Sequence, residues 1–139
     1  MSIRFLLDTN VVSEPLRPKP DEKLLEQLRR HEQETAIPAI VWHELRFGAE
    51  RLPPSRKRAT IERYLAEVVA ASLPILPYDE QAATWHAIYR ARLIAAGKTP
   101  PFADGQIAAI AAVHDLVLVT ANTADFRDYE IAVENWMGP

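Results

Sequence analysis

The stretch Ile3-Arg4-Phe5-Leu6-Leu7-Asp8 decides the fold. It is a short, nearly continuous apolar run, the pattern of a strand buried on both faces, and it stops abruptly at a carboxylate. Two further polar residues, Thr9 and Asn10, follow at once. Outward from this run the chain repeats one alternation. Strand-like segments are read at Thr35-Ala36-Ile37, Leu73 to Leu76, Leu116 to Val119 and Glu130 to Glu134, with helical patterns between them. Strands separated by helices need crossover connections, so the sheet is expected to be short and mainly parallel with flanking helices. This is an α/β chain read as one domain over residues 1–139.

The helices carry their own punctuation. Asn10 to Leu16 reads as a brief helix ended by Pro18 and Pro20, and Asp21 as the cap of a helix reaching about Glu32. Pro38 suits a first helical position, for a helix running to about Arg51 before Pro53-Pro54. Ser55 is expected to cap a helix with Ile61, Leu65 and Val68 at helical spacing. Asp79 is expected to cap another that ends near Gly97, and Phe102 to His114 is read as an Ala-rich helix.

Composition excludes several function classes. With 48% apolar residues in a 139-residue chain, a packed core is expected. No apolar run approaches the roughly 20 residues of a membrane span. There is no cysteine, which removes disulfides, thiolate metal sites and cysteine nucleophiles, and fits a cytoplasmic setting. A net charge of −3 argues against tight non-specific duplex binding, though not against local contact with nucleic acid.

Four acids stand out. Asp8 and Asp125 fall after apolar strands, Asp125 through the turn Thr120-Ala121-Asn122-Thr123-Ala124. Glu44 lies mid-helix among Ile40, Val41, Leu45 and Phe47, and Asp104 opens Asp104-Gly105-Gln106-Ile107-Ala108-Ala109. Each has an ordinary reading as well: Asp8 a helix cap, Glu44 half of an ion pair, Asp104 a first-turn acid, Asp125 a turn residue. Together they can meet at the carboxyl edge of a parallel sheet, where ligands bind. Two carboxylates about 5 Å apart at an effective dielectric of about 20 repel by roughly 3 kcal/mol, so such a cluster calls for a cation. Oxygen-only donors favour Mg²⁺ or Mn²⁺ over Zn²⁺. Thr9 and Asn10 are placed to orient the acids. Gly48, one turn beyond Glu44, is read as a point of close backbone approach.

Other constellations fail. His31, His43, His86 and His114 lack metal-ligand spacing, no serine sits in a nucleophile-elbow frame, and four glycines form no phosphate loop. Trp42, Trp85 and Tyr89 read as core or subunit contacts. A phospho-accepting receiver domain also gathers acids at a sheet edge, but needs a lysine after a late strand, where this chain has Thr120-Ala121-Asn122.

Taken in order, Leu6-Leu7-Asp8-Thr9-Asn10-Val11-Val12-Ser13-Glu14-Pro15-Leu16, Glu44 in its helix, Asp104 to Ala109 and Thr120 to Phe126 resemble the PIN-domain ribonucleases, in particular the toxins of VapBC-type modules and FitB-like members. The resemblance implies a PIN-like fold and an Mg²⁺- or Mn²⁺-dependent endoribonuclease in which the cation activates water. It assigns Asp8, Glu44, Asp104 and Asp125 to the acidic metal site, with Thr120 and Asn122 as polar supports. It further implies a homodimer, a cognate VapB/FitA-like antitoxin, and contact with DNA only through that antitoxin. Similar proteins often carry a basic residue after the threonine; this chain has Ala121, and Ala124 beyond it. The densest basic stretch, Arg51, Arg56, Lys57, Arg58 and Arg63, is either an RNA-contacting rim or a solvated helix face. The competing reading is an inactive PIN-fold module that pairs with an antitoxin in a DNA-binding repressor.

Overall fold

The computed structural model describes residues 2–139. Strand β1 (Phe5–Leu7) forms the centre of a five-stranded parallel sheet, and all three of its residues are buried. After a short helix α1 (Thr9–Val12), a 3₁₀ turn (Glu14–Leu16) and α2 (Glu22–Arg30), the chain returns as β2 (Thr35–Pro38) beside β1. Helix α3 (Ala39–Glu50) and α4 (Arg56–Tyr64) lead to β3 (Ile75–Leu76), which pairs outside β2. The chain then crosses over. Helices α5 (Glu80–Ala95) and α6 (Phe102–Val113) precede β4 (Val117–Val119), which pairs with the opposite side of β1. Strand β5 (Val133–Glu134) closes that edge, for the order β3-β2-β1-β4-β5.

Growth therefore reverses direction between β1 and β4. Their register sets Phe5 opposite Val117 and Leu7 opposite Val119, so both strands end level. This reversal point at the carboxyl edge is the crevice where open α/β sheets hold ligands.

The caps read from the sequence are formed. Asp21, Ser55 and Asp79 accept from the amides of Leu24, Arg58 and Ala82 at 2.9, 3.1 and 3.0 Å. Gly97, just past α5, has φ +82°, a left-handed turn that suits glycine. Pro38 differs by one position: it ends β2, and α3 begins at Ala39. β1 begins at Phe5 rather than Ile3, and β5 spans only Val133–Glu134 rather than Glu130–Glu134.

Two segments depart more from expectation. Leu65–Ala70 continues α4 as a π-helical turn. A wider turn returns position i+4 rather than i+3 beneath i, so Leu65 and Val69 are buried while Val68 is exposed. Residues Thr123–Tyr129 form a 3₁₀ helix rather than a plain turn. Its three-residue period puts Phe126 and Tyr129 on one side, and both are buried in the core.

Candidate active site

β1 delivers Asp8 to the reversal point, where it is 8% exposed. It caps α1, as one reading of the sequence expected. One carboxylate oxygen, Oδ1, accepts from the Thr9 amide at the start of α1 at 2.8 Å. The other, Oδ2, accepts from the Thr120 hydroxyl at 2.8 Å and from Asn10 Nδ2 at 3.3 Å. Thr120, at the end of β4, is fully buried. Its oxygen donates to Asp8 and accepts from Asn10 Nδ2 (3.4 Å) and the Asn122 amide (3.0 Å), which saturates a hydroxyl. Asn10 closes the mesh by accepting from the Ala121 amide at 2.9 Å. A buried hydroxyl-to-carboxylate bond is among the stronger hydrogen bonds, so this mesh pins the ends of β1 and β4 together.

Glu44 enters from α3. Its carboxylate is half-buried and accepts from the Thr9 hydroxyl at 2.7 Å. Neighbouring residues Thr9 and Asn10 thus bond two different acids, the Thr9 hydroxyl Glu44 and the Asn10 amide Asp8. The backbone amide of Asn122 donates to Thr120, and the residue is exposed. Asp125 is exposed on the 3₁₀ helix.

Asp104 stands in the first turn of α6. Its carboxyl is pushed up from the usual 3.8 to about 6. Burial is the largest cause, followed by the charges of Asp125, Asp8 and Glu44. The other three acids found in the sequence therefore act on Asp104 across the carboxyl edge. They meet through their field rather than as a closed set of ligands: among the described residues, no three His, Cys, Asp or Glu side chains are already set to grip one ion. The donors nonetheless suit a hard divalent cation. They are carboxylates, and the cluster disfavours its own last negative charge, which a cation would relieve.

Three further residues stand near Asp104. Gly105 faces the imidazole of His86, and a Cβ there would lie 2.1 Å from His86 Nε2. His86 is buried on α5 and bonds Tyr78 through Nδ1 at 2.8 Å. Burial, then the nearby Arg90, lowers the His86 pKa. The tight approach anticipated at Gly48 is thus found at Gly105, whereas a Cβ at Gly48 would meet nothing within 4 Å. Tyr129 is the third; burial, then Asp104 and Asp128, raise its hydroxyl pKa. A glycine directly after Asp104 in an alanine-rich helix was the available signal.

The basic stretch divides. Arg58 is engaged on all sides: with the Leu52 carbonyl at 2.9 Å, Glu50 at 2.9 Å and Glu62 at 3.3 Å. Those bonds tie α4 to the end of α3. Arg51, Arg56 and Lys57 are exposed.

A parallel α/β sheet with acids gathered at its reversal point is the architecture of a nuclease-type domain. The chain belongs to the PIN-domain family, whose model matches residues 5–132. It is 38% identical over 134 residues to Toxin FitB of Neisseria gonorrhoeae, covering 94% of this chain and 96% of that one. It is 34% identical over 136 residues to the tRNA(fMet)-specific endonuclease VapC of Salmonella typhimurium, covering 96% and 98%. Among solved structures, FitAB bound to the IR36 DNA fragment superposes with a TM-score of 0.88 at 34% identity, covering 97% of each chain. Its homologues are thus VapC-type ribonucleases of toxin–antitoxin systems, and PIN-domain nucleases generally use a divalent metal. No helix among the described residues is long and apolar enough to cross a membrane.

Proposed function

We propose that this chain is the toxin of a type II toxin–antitoxin module and an endoribonuclease dependent on Mg²⁺ or Mn²⁺. In this reading Asp8, Glu44, Asp104 and Asp125 hold the cation, and Thr9, Asn10 and Thr120 orient the first two acids. The observation that carries it is Thr9, whose amide bonds Asp8 and whose hydroxyl bonds Glu44, so that acids from two elements stand together at the carboxyl edge; the raised pKa of Asp104 supports it. When bound, a divalent cation supplies positive charge for the phosphoryl oxygens and lowers the pKa of an attacking water.

The chain's own groups do the rest. The mesh around Asp8 keeps both its oxygens oriented at the end of β1. Thr9 holds Glu44 at the same edge. Asp104, pushed up to about 6, is the acid whose charged form a cation would favour most, because the cation would offset the repulsion from the other three carboxylates. Arg51, Arg56 and Lys57 remain available to RNA phosphates, whereas Arg58 serves the fold. The chain acts as a homodimer in the cytoplasm, is neutralised by a cognate VapB/FitA-like antitoxin, and meets DNA only through it. The DNA-bound FitAB neighbour supports that arrangement.

The test is cleavage of single-stranded RNA by purified protein with Mg²⁺ or Mn²⁺, with and without EDTA, beside Asp8→Asn. Wild type is expected to cleave only with metal, and the variant not at all while keeping its circular dichroism. Equal cleavage by Asp8→Asn or in excess chelator overturns the assignment. A folded wild type that binds an antitoxin but never cuts would favour the inactive module instead.

A further inference from the structure

Helix α3 carries more than Glu44. Along its outer side, His43 and Phe47 are stacked with their planes 3° apart and centroids 6.1 Å apart. The guanidinium of Arg51 lies 5.6 Å from the Phe47 centroid on the next turn. All three are exposed, and Phe47 has 56% of its surface open. Around the helix, Glu44, Phe47, Gly48 and Arg51 stand at i, i+3, i+4 and i+7, so they share one stripe. Gly48 weakens the helix relative to alanine, yet space for a Cβ is open. Nothing in the fold of this chain accounts for a glycine there. It leaves bare helix surface between the acid cluster and Arg51.

We propose that this stripe is a track for single-stranded RNA leading to Glu44, with a base stacked on Phe47, a phosphate at Arg51 and the strand lying across Gly48. The inference rests on the nuclease reading and adds to it the residues that hold the substrate. A planar ring flanked by an imidazole and a guanidinium fits a base of any sequence, since every base has a stacking face. The charge is complementary to a polyanion, with exposed Arg56 and Lys57 on α4, which packs against α3. Phenylalanine and arginine are also enriched at contacts between protein copies, but a symmetric contact would set the exposed Arg51, Arg56 and Lys57 of one copy beside those of the other, a repulsion that a polyanion avoids.

The experiment uses the full chain and a fluorescein-labelled single-stranded RNA of mixed sequence. Binding is read by anisotropy with Ca²⁺ replacing Mg²⁺, turnover with Mg²⁺ or Mn²⁺, and mass by light scattering. Phe47→Leu, apolar but not planar, is expected to weaken binding and raise KM about tenfold with kcat unchanged, and Phe47→Trp to restore both. Gly48→Gln should raise the melting temperature yet raise KM, because its side chain fills the track. Arg51→Gln should flatten the salt dependence of binding by about one phosphate contact. Unchanged binding and KM in both Phe47→Leu and Gly48→Gln overturn the track. So does a loss of mass in Phe47→Leu that accounts for the KM change, which would make this face a contact between copies. Wild type that binds RNA through Phe47 but does not cut it sinks the nuclease reading and keeps the track. Wild type that cuts RNA indifferently to Phe47 does the reverse.

Discussion

Replacing Asp104 by asparagine should stabilise the metal-free protein at neutral pH and do so much less in acid. The Asp104 carboxyl titrates at about 6 in the folded chain against 3.8 as its ordinary value. Between those values the unfolded chain has released its proton and the folded chain has not. The folded state binds more protons, so this group's contribution to stability falls as pH rises through that window. About two units correspond to roughly 3 kcal/mol if taken in full. Asp104 is only half-buried, and solvent screening reduces this to about 1–2 kcal/mol. For a chain of this size that is a shift of about 3–8 °C. The assay is thermal unfolding of wild type and Asp104→Asn in EDTA at about pH 4 and about pH 7.5, where the double difference isolates the ionisation of residue 104. Saturating Mn²⁺ at the higher pH should then reverse the order, because wild type gains the metal's binding energy and the variant gains less. An advantage for asparagine that is the same at both pH values, or absent at the higher one, would refute the idea that the other three carboxylates burden Asp104.

Other perturbations have equally definite outcomes. Thr120→Val removes the buried donor to Asp8 and the acceptor of the Asn122 amide, and should cost about 1–3 kcal/mol in chemical denaturation as well as activity. Gly105→Ala drives a methyl into His86 and should destabilise by about 1–3 kcal/mol, while Gly48→Ala, in open space, should stabilise by up to about 1 kcal/mol. Tyr64→Phe deletes the 2.6 Å bond from its hydroxyl to the Val12 carbonyl and should cost about 1 kcal/mol. Burial holds that hydroxyl's pKa up at about 12, so wild type should show no Tyr64 phenolate in an ultraviolet titration until the fold is lost in strong alkali.

Much of the fold was legible because punctuation and pattern agreed. Apolar runs cut off by Asp8 and Thr120 marked where strands end, and Asp21, Ser55 and Asp79 announced the helices they cap. The four acids were legible because Asp8 ends an apolar run, Glu44 interrupts an apolar helix, Asp104 opens an alanine-rich one and Asp125 follows a strand through a polar turn. What escaped depended on geometry that spacing does not carry. Which glycine is crowded is decided by a partner on another helix: His86 for Gly105, nothing for Gly48. The π turn at Leu65–Ala70 shifts the buried face by one residue with no residue type to signal it. Arg58 looked like its neighbours Arg56 and Lys57, yet its position opposite Glu50 and Glu62 made it a strut. Glu14 is buried against the backbone amide of Asp21, a bond across a loop that no periodicity reveals.

The bond between Asp8 and Thr120 joins residues 112 positions apart. A ribosome making this chain releases Asp8 long before Thr120. Until the late strand emerges, Asp8 lacks its buried partner, and neither Asp104 nor Asp125 has a sheet edge to meet. The acid cluster is thus a late product of synthesis: no shorter nascent chain that lacks β4 can hold it together.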